Sequence, residues 1–121
     1  MEQTLDRQSM EGAKDRIMII SMLYESACNF TGMAKKKLET GDSIGKAQYI
    51  RKTSAIVQEL DNSLNMDGGE IARNLKKLYA FVLTSLMKAE AQNDLKALDD
   101  AGKIIETLRD AWKEMQAASK Y

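Results

Sequence analysis

The strongest constraint on this chain is a run of apolar residues at alternating steps of three and four, with no proline to interrupt it. Leu98, Ala101, Ile105, Leu108, Trp112 and Met115 follow that spacing. At 3.6 residues per turn they make one seam along a helix. Upstream, Ile71, Leu75, Leu78, Val82 and Leu86 make a similar seam, widened by Ala72, Tyr79 and Leu83. Gln92-Asn93-Asp94 is the only plausible turn between them. A link that short sets neighbouring helices antiparallel. Neither stripe can bury itself against the other alone, so the rest of the chain must supply partners.

It does so twice. From about Glu11 to Thr40 the pattern predicts one long helix, ended by Gly41 as a left-handed cap. Its core stripe is Ile17, Ile20, Leu23, Tyr24, Ala27, Phe30, Ala34 and Leu38. Asp42 or Ser43 can accept hydrogen bonds from the free amides of a second helix. That helix runs to about Leu64, with Ala47, Ile50, Ser54, Val57, Leu60 and Leu64 on its seam. Gly45 weakens its first turns. Asn65-Met66-Asp67-Gly68-Gly69 is the clearest turn, because Asn, Asp and Gly tolerate turn conformations. No stretch alternates apolar and polar residues over a strand's length. The expected architecture is all-α, an antiparallel up-down-up-down four-helix bundle. A mobile arm over residues 1–10 precedes a single domain over 11–118, with helices at about 11–40, 43–64, 70–92 and 95–118.

Composition narrows the function. Apolar residues make up 44% of the chain, which suits a globular protein. Lys plus Arg equal Asp plus Glu at 18 each, so no broad phosphate-binding surface is expected and nucleic acid is not an expected partner. No apolar run, Ile17 to Ile20 included, is long enough to span a bilayer. The first residues have neither the basic start nor the apolar block of a secretory signal, and Cys28 is the one cysteine. These features place the chain in a reducing, cytoplasmic setting.

Histidine is absent, which removes the usual general base and the usual zinc or iron ligand. Ser–His and Cys–His nucleophiles are therefore impossible. Ser–Lys dyads are compatible with the composition, but no strained nucleophile turn accompanies any serine. Asp99 and Asp100 are adjacent and point to different sides of a helix. Gly68-Gly69 is too little for a phosphate loop. Neither an enzyme nor a cofactor is expected. Cys28 reads as a small buried apolar residue. Lys35-Lys36-Lys37 reads as favourable charge at a helix C-terminus, with an anionic partner as the sharper alternative.

The methionines say more. With Ile20 at the centre of the first helix's buried face, Met18, Met22 and Met33 fall roughly 140–200° away, at about 100° per residue. Ile19 lies on the shoulder, and Phe81 is off the seam of the third helix. Two readings fit. Wide stripes pack against two neighbours in a bundle, or these residues form an exposed apolar groove for another chain. Methionine is flexible and polarisable, and suits surfaces that accept helical or poorly ordered ligands. The contact residues expected from pattern are Met18, Ile19, Met22, Met33 and Phe81, whereas Ile50, Val57, Leu78 and Trp112 are expected in the core.

Several segments, taken in order, carry a resemblance. They are Ile20-Ser21-Met22-Leu23-Tyr24-Glu25-Ser26-Ala27, then Leu60-Asp61-Asn62-Ser63-Leu64-Asn65, then Gly68-Gly69-Glu70-Ile71-Ala72-Arg73-Asn74-Leu75 with Tyr79 following. Asn93-Asp94 and Leu108-Arg109-Asp110-Ala111-Trp112 complete the set. Over residues 17–115 the chain resembles the FliS family of flagellar export chaperones. It departs from that family's pattern at its start, which has no aromatic residue before Tyr24 and no proline. The resemblance implies a helical bundle without catalytic activity. Its implied client is the disordered C-terminal segment of flagellin, held in the cytoplasm against premature polymerisation. The implied destination is the flagellar type III export apparatus, a component of which would be a further partner. A different reading makes the same off-seam residues a homodimer face of a self-associating structural bundle with no flagellin client.

Overall fold

A computed structural model describes the backbone of residues 2–118 and the side chains of residues 15–117. Four helices and one short 3-10 turn account for almost all of it, and no strand occurs among the described residues. The helices are α1 (Glu2–Glu39), α2 (Ser43–Asn62), α3 (Gly69–Gln92) and α4 (Leu95–Ala118). The 3-10 turn, Met66–Gly68, leads into α3.

Residues 2–10, read from the sequence as an arm, continue the backbone of α1. Several of these residues, among them Glu2, Gln3, Leu5, Arg7, Gln8 and Met10, have good intrinsic helix propensity, so a helix can extend past the point where its apolar period begins.

Local chemistry sets the ends. At the close of α1, Gly41 takes φ +78° and the Asp42 amide donates back to the Lys37 carbonyl at 2.9 Å. The Gly41 amide donates to the Leu38 carbonyl, completing a Schellman cap. Asp42 then opens α2, its Oδ1 accepting from the Gly45 amide at 2.9 Å. Gly45 is there for space: a Cβ would lie 2.7 Å from Asp42 Oδ2 and displace the capping carboxylate. Between α3 and α4, Asn93 is left-handed at φ 52°, and Asp94 Oδ1 accepts from the Ala97 amide at 3.0 Å.

Each helix touches the helix before and after it, and α1 also packs on α4. Glu25 pairs with Lys113 at 2.6 Å and Lys35 with Asp99 at 3.0 Å, linking α1 to α4. Asp61 pairs with Lys76 and Arg51 with Glu90, linking α2 to α3. Exposed ion pairs add little energy. The core holds the bundle: Ala27 and Ala34 of α1, Ile50 and Val57 of α2, Val82 and Leu86 of α3, Leu98 and Ala101 of α4 are all fully buried. Small residues bring α1 and α4 close, and a Cβ on Gly102 would meet Thr31 Cγ2 at 3.1 Å.

Four residues expected on core seams are instead exposed: Ile17, Ile71, Leu78 and Met115. On α3 the stripe is rotated, with Ala72, Tyr79, Val82, Leu86 and Ala89 buried rather than Ile71 and Leu78. Trp112 is half-buried against the core.

An open apolar furrow as the candidate functional site

Two of the exposed seam residues, Ile71 and Met115, meet where α3 begins and α4 ends. There the four helices leave an apolar cavity of about 280 Å³. Ile20 and Tyr24 of α1, Leu60 of α2 and Leu64 just beyond it form part of its wall. Ile71, Leu75 and Tyr79 of α3 face Leu108, Trp112 and Met115 of α4 across it. Ile71 is 74% exposed and Met115 is 59% exposed, so the rim is greasy and open to water.

Two polar arrangements shape this cavity. The Tyr24 and Tyr79 hydroxyls meet at 2.6 Å in its wall, joining α1 and α3 across the core. Burial pushes both phenols above their ordinary range, so both stay protonated. On the other side, the Trp112 indole N–H donates to Ser21 Oγ at 3.0 Å. Ser21 in turn donates to Gln116 Oε1 at 3.2 Å. The indole is therefore fixed in orientation while its ring lines the cavity. Such a site has a preformed apolar body with few polar contacts, which suits apolar side chains.

The apolar surface continues along α3. Leu78 is exposed, and Phe81 is 51% exposed beside a second hollow of about 250 Å³ between α3 and α4. Thr84, Ser85 and Lys88 line that hollow with Asp94, Lys96, Ala97 and Asp100, so it ends in a polar, charged mouth.

The five residues singled out by pattern do not form one surface. Met18 and Met22 are 62% and 64% exposed on the outward side of α1. Ile19 is exposed too, and with Met22 it lines a groove of about 340 Å³ shared with Leu23, Ser26, Phe30 and Ile56 between α1 and α2. Met33 is half-buried. Phe81 lies between α3 and α4. Sequence reasoning missed Ile71 and Met115 as surface residues. Their signal was faint, since each marks the outermost turn of its seam, where covering helices can run out.

The remaining candidates resolve into structural roles. Cys28 is half-buried, and burial pushes its thiol up, away from the nucleophilic thiolate. The lysine run divides: Lys35 binds Asp99 and Lys37 binds Asp42 at 3.5 Å. Among the described residues no cluster of His, Cys, Asp or Glu could hold a metal, and no helix is long and apolar enough to cross a membrane.

Residues 2–119 match the family model described as flagellar protein FliS. The chain is 30% identical over 105 residues to the flagellar secretion chaperone FliS of Salmonella typhimurium, covering 85% of this chain and 78% of that protein. It is 33% identical over 98 residues to the protein of the same name from Vibrio cholerae, covering 80% and 72%. It is 29% identical over 93 residues to that of Bacillus subtilis, covering 77% and 69%. A four-helix chain with an open apolar furrow, matched along nearly its whole length, belongs to the FliS family of flagellar proteins.

Proposed function

We propose that this protein is a cytoplasmic export chaperone that holds the disordered C-terminal segment of flagellin. It prevents premature polymerisation and delivers the subunit to a component of the flagellar type III export apparatus. Its scaffold is an up-down-up-down antiparallel bundle, and it works by binding, without catalysis. The observation that carries the reading is the apolar cavity walled by Ile71, Leu75, Trp112 and Met115, open at one end of a family member's bundle. Contiguous exposed apolar surface is costly to keep in water and marks a place where another chain sits. The strip from Met115 through Ile71 and Leu78 to Phe81 accepts an amphipathic helix in a groove. A disordered client can wrap a long surface of this kind, at the cost of its ordering entropy.

The test is titration of the full chain with a flagellin C-terminal peptide by calorimetry, followed by far-ultraviolet circular dichroism. The expected result is saturable heat, a negative heat-capacity change and a gain of helix. A folded bundle that gives no heat with that peptide would sink the proposal.

A further inference from the structure

The furrow wall holds one side-chain polar hydrogen more than it uses. Of the twelve residues that line the furrow, only Tyr24, Ser63, Tyr79 and Trp112 carry such a hydrogen. Trp112 gives its N–H to Ser21 Oγ at 3.0 Å, and Ser63 gives its hydroxyl hydrogen to the Glu59 carbonyl at 2.8 Å. Tyr24 and Tyr79 have a hydroxyl hydrogen each but share a single bond, at 2.6 Å. Whichever tyrosine donates, the hydrogen of the other is left over. Among the described residues neither hydroxyl has a second hydrogen-bond partner. Tyr24 is 5% and Tyr79 is 3% exposed, so the spare donor is held away from bulk water, where lacking an acceptor is costly.

The same wall limits what can take that hydrogen. It carries no lysine or arginine, so a carboxylate entering it would lose its water without gaining a cation. The backbone carbonyls of a bound helix are already committed to that helix. What remains is a neutral side-chain oxygen, the amide of Asn or Gln or the hydroxyl of Ser or Thr.

We propose that the Tyr24–Tyr79 pair is the furrow's specificity element, giving its spare hydroxyl hydrogen to one neutral polar side chain set among the apolar residues of the bound segment. This rests on the flagellin reading and narrows it: the segment is chosen for one Asn, Gln, Ser or Thr at a fixed place, and not for apolar surface alone. The two rings supply apolar wall, so phenylalanine fills the same space without the donor.

Calorimetric titration of the full chain with the flagellin C-terminal peptide tests it. Tyr24→Phe and Tyr79→Phe together remove both hydroxyls and keep both rings, and circular dichroism verifies that the variant is folded. Y24F/Y79F is expected to bind about tenfold more weakly, because the peptide's polar group is then buried without a donor. Each single variant keeps one hydroxyl hydrogen and is expected to lose less than the double. On the peptide side, each Asn, Gln, Ser and Thr is replaced in turn by an apolar residue of similar size. One replacement is expected to weaken binding to the original chain about tenfold, yet to change binding to Y24F/Y79F by less than about threefold. A peptide held equally well by the original chain and the folded double variant overturns this inference and leaves the flagellin reading standing. So does a peptide series in which no replacement weakens binding to the original chain. A folded original chain that gives no heat with the peptide overturns both.

Discussion

The hydroxyls of Tyr24 and Tyr79 form a pair in the core, one donating and the other accepting at 2.6 Å. Replacing either tyrosine with phenylalanine strands the other hydroxyl in an apolar setting. Each single variant, Tyr24→Phe or Tyr79→Phe, is expected to cost about 1–3 kcal/mol by denaturant unfolding. The double variant removes both polar groups and is expected to cost less than the sum of the singles. Strict additivity in that cycle would mean that the pair is not coupled. At the same scale, Leu98→Ala empties a fully buried site and is expected to cost about 2–5 kcal/mol.

The helices are delimited by caps with a pH signature. The Gly45 amide holds the Asp42 carboxyl below its ordinary value of 3.8, and the Ala97 amide does the same for Asp94. Both carboxylates are therefore harder to protonate in the folded chain than in the unfolded one. Their contribution is present above 3.8 and is lost as pH falls through the lower folded values. Thermal melts are expected to lose stability across that acid window. The Asp42→Asn and Asp94→Asn pair keeps a capping side chain that does not titrate there, so its melts are expected to be flatter with pH. Another link joins α2 to the end of α3. Lys46 is buried, and its ammonium donates to the Glu90 carbonyl at 3.0 Å and to Asn93 Oδ1. Lys46→Met keeps the apolar stem but leaves both acceptors without that donor. The expected loss is about 1–3 kcal/mol by urea unfolding.

For the molecule as a whole, stability and client binding are carried by different residues. Ile71 and Phe81 are exposed, so Ile71→Asp and Phe81→Asp are expected to leave the melting temperature within a few degrees of the original. The same changes put a charge into the proposed client strip, and peptide affinity is expected to fall at least tenfold by calorimetry. Loss of affinity accompanied by unfolding would point to structural damage instead.

The amino-acid order by itself determined the four helices and the turns that separate them, because the causes act within about four residues. Gly41 and Asn93 turn left-handed, and Asp42 and Asp94 cap, each through neighbours a few positions away. The apolar period also identified Ile50, Val57, Leu86 and Leu98 as core, since each sits mid-seam where any partner helix would cover it. The flank of each stripe that stays wet was decided only by tertiary packing. On α3 the choice between Ile71 with Leu78 and Ala72 with Tyr79 is a rotation of one residue, about 100°. The Tyr24–Tyr79 contact favours the second pair. Ile71 and Met115 are uncovered because they lie at the open end of the bundle, an arrangement that no local pattern encodes. That end, set by how four rods pack and where each stops, makes the furrow.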